Sequence, residues 1–152
     1  MIMLPGVLPA LLALFLTPAP AADPPAPAEP YESRIVTQCS DQLPWPGDVR
    51  GRVVRRVHFE GRAVELHARR FNGKEYGWAR LTGSTRAGDE VYMMVYKGDQ
   101  SCYTRLQRIG IDGYDAWSQM WPTSNQSSLR FQACGWFPYA GEQGTSRCTD
   151  RW

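Results

Sequence analysis

Between residues 53 and 134 apolar and polar side chains alternate with a period of two, and pairs that favour tight turns cut the alternation at short intervals. Val53, Val57 and Phe59 alternate with Arg52, Arg56 and His58, and Val64, Leu66 and Ala68 with Glu65, His67 and Arg69. Tyr76, Trp78 and Arg80 share one predicted strand face, and Gly77, Ala79 and Leu81 share the other. Further on, Val91, Met93 and Val95 alternate with Tyr92, Met94 and Tyr96, residues 102–109 form another candidate strand, and Leu129, Phe131 and Ala133 alternate with Arg130, Gln132 and Cys134. Such alternation buries one side of a strand and wets the other, and it does not fit a helix of period 3.6. The cuts fall at Glu60-Gly61, Asn72-Gly73, Gly88-Asp89 and Gly98-Asp99. Asn and Gly tolerate positive φ, which two-residue hairpins demand. A tight turn at Glu60-Gly61 sets opposite each other residues whose numbers sum to about 121, so His58 meets Arg62 or Ala63 and His67 meets Val54. Short, evenly spaced strands predict an all-β fold: a small antiparallel β-sandwich or barrel. Val49, Val53 and Val57 also fit a helical stripe, but Gly51 and the β-branched residues argue against a helix there.

The chain before this region reads differently. Val7 to Leu16 is almost wholly apolar and is followed by small residues ending in Ala19-Pro20-Ala21. The run is shorter than the roughly 20 residues a membrane span needs, and the pattern is that of a cleavable signal peptide over residues 1–21. Secretion to the extracellular space is therefore expected. Residues 23–30 read DPPAPAEP, so residues 22–38 are expected to form an extended, Pro-rich arm, with the β domain over residues 39–152. All four cysteines, Cys39, Cys102, Cys134 and Cys148, lie beyond the leader. An even count in an exported chain implies two disulfides. Three pairings are possible, and Cys39–Cys102 with Cys134–Cys148 is favoured.

Charge is unevenly placed. Residues 50–80 carry nine basic and three acidic side chains, whereas residues 23–49 carry one basic and five acidic. The basic band (Arg52, Arg56, Arg69, Arg70) could meet an anionic partner, although a solvated sheet face explains it as well. No nucleophile elbow, zinc-protease helix motif, phosphate-binding Gly loop or C-x-x-C is present, so no catalytic residue, metal site or cofactor is expected. His58 and His67 are expected as exposed strand residues. Asp112-Gly113-Tyr114-Asp115 could offer carboxylates to calcium, but two acids in a Gly turn are common without a metal. Glu65, Asp112 and Asp115 are the candidates a carboxylate-based hydrolase would use.

The aromatic residues point to recognition. Trp45, Trp117, Trp121 and Trp136, with Tyr31, Arg34 and Ile35 of the arm, are the candidate partner-binding residues. Trp117, Trp121, Pro122, Trp136, Phe137 and Tyr139 lie in segments that read as loops. Trp and Tyr beside Arg are typical interface anchors and also suit stacking on sugars.

The segments Ala63-Val64-Glu65-Leu66-His67, Gly77-Trp78-Ala79-Arg80-Leu81, Gly88-Asp89 and Asp115-Ala116-Trp117-Ser118-Gln119-Met120 resemble a family of small secreted actinobacterial β-domain proteins of unknown function. The likeness covers roughly residues 49 to 136. The resemblance implies a small secreted β domain with no catalytic residues to carry over. Members often place a Cys before the W-A-R segment, where this chain has Arg70-Phe71-Asn72-Gly73, which implies a different disulfide pattern. The function expected is that of a non-catalytic protein-interaction module, an adaptor in an extracellular toxin-type assembly docking through its arm onto another secreted protein. A module for a glycan or cell-wall polymer and a secreted protease inhibitor are the alternatives. Neither a nucleic-acid partner nor a membrane span is expected.

Overall fold

The computed structural model describes residues 37–40, 42–44, 47, 50–123 and 128–152. The expected leader, most of the expected arm, Trp45 and residues 124–127 lie outside the described residues. Eleven strands occupy the described chain: β1 (Thr37–Gln38), β2 (Arg52–Phe59), β3 (Arg62–Phe71), β4 (Lys74–Gly83), β5 (Glu90–Lys97), β6 (Gln100–Tyr103), β7 (Gln107–Arg108), β8 (Ala116–Trp117), β9 (Trp121–Pro122), β10 (Leu129–Phe137) and β11 (Thr145–Cys148). There is no helix among the described residues, and so none long and apolar enough to cross a membrane.

The strands form two sheets. The first runs β1-β6-β5-β10-β11 with β7 also on β5; the second runs β2-β3-β4-β8 with β9 also on β4. All pairings are antiparallel except the two-residue pair of β1 with β6. The sheets pack face to face, β3 and β4 against β5 and β10, so the architecture is a sandwich.

Two hairpins of the second sheet follow from their turn residues. Glu60 (φ 48°) with Gly61 (φ 77°), and Asn72 (φ 48°) with Gly73 (φ 78°), place both central residues in the left-handed region. That geometry matches the right-handed twist of the flanking strands. The first turn sets His58 opposite Ala63 and Phe59 opposite Arg62, as expected. A bulge between Val53 and Arg55 then shifts the register, so His67 faces Val53 and not Val54.

The core fills with one parity from each strand. Val64, Leu66, Ala79 and Leu81 from one sheet meet Val91, Met93, Val95, Phe131 and Ala133 from the other. Gly135 is required there: a Cβ would lie 2.7 Å from Phe137 Cζ and 2.9 Å from Val64 Cγ2. At one end of this core sits a charged pair. Arg62 and Asp89 are only 2% and 0% exposed, and Arg62 Nε donates to Asp89 Oδ2 at 2.7 Å. The same oxygen accepts the Arg86 amide at 2.8 Å, and the Arg62 guanidinium lies over the Phe137 ring at 5.0 Å. The second role of Gly88-Asp89 is therefore to tie β3 to the loop that enters β5.

Cys39 is bonded to Cys102 and Cys134 to Cys148. The first bridge fixes the segment after β1 to β6, and the second links neighbouring strands β10 and β11. The expected single strand over 102–109 is divided. β6 and β7 both lie along β5, and between them Thr104 takes over the ladder, its amide donating to Met93 O and its Oγ1 accepting the Met93 amide.

Candidate functional site

The outer face of the first sheet is aromatic. Because Val91, Met93 and Val95 point into the core, Tyr92, Met94 and Tyr96 point out. Register adds Tyr103 beside Met94, and Gln132, Cys134 and Trp136 from β10. Tyr92, Met94, Tyr96, Tyr103 and Trp136 are all half-buried, so each keeps part of its surface in solvent. They are also held in place. Tyr92 and Tyr103 meet edge to face at 6.4 Å, Tyr96 donates its hydroxyl hydrogen bond to Gln132 Oε1 at 2.8 Å, and Arg151 lies 4.0 Å over the Tyr96 ring. Trp136 rests on Gly144, where a Cβ would come within 2.5 Å of the indole. Rigid aromatic side chains lose little conformational entropy when a partner covers them.

One edge of this face receives the chain from the arm. Thr37 and Gln38 pair with Cys102 and Tyr103, the Cys39 amide donates to Tyr103 O at 2.9 Å, and the Cys39–Cys102 bridge locks the junction. The two residues before Cys39 are thus fixed beside Tyr103 at the edge of the tyrosine face.

The outer face of the second sheet holds an ionic row. Arg56, Glu65, Arg80 and Trp117 are consecutive register partners across β2, β3, β4 and β8. Glu65 accepts from Arg56 Nε at 2.8 Å, contacts His67 Nε2 at 2.7 Å and lies 3.5 Å from Arg80 Nη1. Arg80 also binds Asp115 through two nitrogens and lies over the Trp117 ring. Burial would raise the Glu65 carboxyl, but hydrogen bonds and charge from His67 and Arg56 outweigh it and hold the group below its ordinary value. A carboxylate held ionised beside two guanidinium groups accepts hydrogen bonds and has no proton to donate near neutral pH.

The structure corrects several expectations here. His67 is not exposed: it is 6% accessible, stacked on Trp78 at 5.7 Å, because Trp78 and the chain at Gly51 cover this part of the outer face. His58 is exposed. Glu65 and Asp115 share one guanidinium, but Asp112 lies apart and accepts the Ala87 amide at 2.7 Å. No group of three metal-ligating side chains occurs among the described residues. The segments read as loops around Trp117, Trp121, Pro122, Trp136 and Phe137 are strands, and Phe137 is core.

Three of the expected partner-binding tryptophans do not converge. Trp117 lies beside Arg80 on the second sheet, and Trp136 stands on the outer face of the first. Trp121 packs against the core and lines a cleft of about 540 Å³ with Val95, Lys97, Cys102 and Leu129. Trp45, Tyr31, Arg34 and Ile35 lie outside the described residues. The basic band divides as well: Arg52 faces Glu75 at 3.5 Å and Arg56 binds Glu65, while Arg69 and Arg70 have no carboxylate partner among the described residues. Sequence reading missed the tyrosine face. The alternation of Tyr92, Met94 and Tyr96 was its signal, but Tyr103 and Trp136 join it only through strand register.

No protein-family model, curated protein or solved structure matches the chain.

Proposed function

We propose that this protein is a secreted, non-catalytic binding module that holds a second secreted protein through its arm, residues 22–38, and the tyrosine face of the first sheet. The observation that carries the reading is the junction at Thr37–Cys39, where a disulfide and a parallel strand pair fix the arm's end beside Tyr103. An extended segment anchored at one end reaches a partner's sheet edge or cleft with less entropy to lose, and its main chain supplies the hydrogen bonds. Tyr92, Met94, Tyr96, Tyr103 and Trp136 supply the residue types that interfaces favour, next to an arginine. The apolar leader and the two disulfides fit an oxidising, extracellular setting. An adaptor within an extracellular assembly of the toxin type is the specific role that fits such a module.

The test is affinity recovery from the native culture supernatant with three forms of the mature chain: intact, lacking residues 22–36, and carrying Tyr92→Ala with Tyr103→Ala. The reading expects one protein partner, recovered by the intact chain and reduced at least tenfold by either change. Equal recovery by all three forms overturns it.

A further inference from the structure

The basic band of residues 50–80 looks different once its ion pairs are drawn. Its three acids are all engaged: Glu60 faces buried Arg62, Glu65 binds Arg56, and Glu75 faces Arg52. Arg62 is further satisfied by Asp89, and Arg80 by Asp115. Arg50, Arg55, Arg69, Arg70 and Lys74 remain, all exposed and none with a carboxylate partner among the described residues. Four of them lie at one end of the second sheet, with Arg69 and Arg70 on opposite faces of β3. Arg69 Nη1 donates to Arg50 O at 3.0 Å, and Arg70 and Lys74 flank the Asn72-Gly73 turn next to it. Arg55 stands farther along β2 at the bulge, exposed, with Nη1 donating to Val54 O at 2.7 Å.

These cations border an open strand edge. β2 pairs with β3 alone, so the main-chain groups on its other side have no strand partner among the described residues. A second copy of β2 is a poor partner, since it would set arginine against arginine. A strand of opposite charge meets both demands at once, with hydrogen bonds to the edge and carboxylates for guanidinium groups that otherwise meet only main-chain oxygens, the Phe71 ring and solvent. We propose that the edge of β2, with the adjoining end of the β3–β4 hairpin, is a docking surface for an extended acidic segment of a partner protein. The surface belongs to the second sheet and is independent of the tyrosine face.

The probe is a fluorescent twelve-residue peptide of alternating Glu and Thr, titrated by anisotropy with the mature chain. Binding is expected, weakening at least tenfold as salt rises from about 0.05 to 0.2 M, because exposed charges are screened over that range. Arg55→Glu with Arg70→Glu should lower affinity at least tenfold, with the unfolding midpoint unchanged. Lys97→Glu, and Tyr92→Ala with Tyr103→Ala, should bind as the wild type does. The same peptide N-methylated at alternate amides should bind at least fivefold more weakly. Absence of binding at low salt, or equal binding by the charge-reversed variant, overturns the proposal. So does equal binding of the N-methylated peptide, or of polyphosphate of matched charge, since either leaves no part for strand pairing.

Discussion

Asp89→Ala should be among the most damaging single substitutions outside the disulfides. Arg62 is 2% exposed and its main charge partner is Asp89, at 2.7 Å. Its other carboxylate, Glu60, lies at 3.4 Å on a side chain that is 56% exposed. Removing Asp89 leaves a buried guanidinium almost uncompensated, which costs about 3–5 kcal/mol. The Arg86 amide loses its acceptor too, adding about 1 kcal/mol. Against a total stability of roughly 5–15 kcal/mol for a domain, the variant should fold only marginally. The double variant Arg62→Met, Asp89→Leu removes both charges and keeps apolar volume against Phe137. It should recover most of the loss, because replacing a buried pair by apolar groups is often neutral or stabilising by about 1–4 kcal/mol. The assay is equilibrium urea unfolding of the oxidised protein, with the midpoint shift read at constant slope. A loss below about 1 kcal/mol for Asp89→Ala, or a double variant as unstable as the two singles added together, refutes the account of this pair.

Three further outcomes follow from the geometry. Glu65 is held below its ordinary value, so its contribution is full above the unfolded carboxylate range and fades as pH falls through its own lowered value; Glu65→Gln should destabilise at pH 7 and lose that effect in acid, once the pH has fallen below the ordinary carboxylate range, as read by urea midpoints across pH. Opening Cys39–Cys102, which spans 63 residues, should cost about 4 kcal/mol, and opening Cys134–Cys148, which spans 14, about 3 kcal/mol, so Cys102→Ser with Cys39→Ser should melt lower than the corresponding pair at 134 and 148. Gly51→Ala puts a Cβ 2.5 Å from the Trp78 ring, and Trp78 is 1% exposed with no room to turn, so a loss of about 1–3 kcal/mol and an altered tryptophan emission are expected in thermal melts followed by fluorescence.

The hairpins were legible because their determinants are local. Glu60-Gly61 and Asn72-Gly73 supply the φ values a two-residue turn needs, and the register of β2 on β3 follows by counting. The bulge at Val53–Arg55 was not legible, since nothing local distinguishes an extra residue in an edge strand from the next alternation. Burial of Glu65 and His67 was hidden for another reason. Period-two patterning does place them on the outer face, but it says nothing of what covers that face, and here Trp78, the Gly51 backbone and two arginines do. Pieces as short as Ala116–Trp117 and Trp121–Pro122 carry no period at all, so the strands around those tryptophans read as loops. The binding surfaces fall between these cases: Tyr92, Met94 and Tyr96 are visible in a row, but the face they form with Tyr103 and Trp136 exists only after β5, β6 and β10 are in register.

Covalent footprinting of the tyrosines tests the binding-module account most directly. The mature chain is labelled free and again in the complex recovered from native supernatant, and modification at Tyr92, Tyr96 and Tyr103 is quantified against the exposed Tyr114 and Tyr139. The account predicts strong protection of the three face tyrosines in the complex, with Tyr114 and Tyr139 unchanged. Equal modification of Tyr92, Tyr96 and Tyr103 in both states contradicts it.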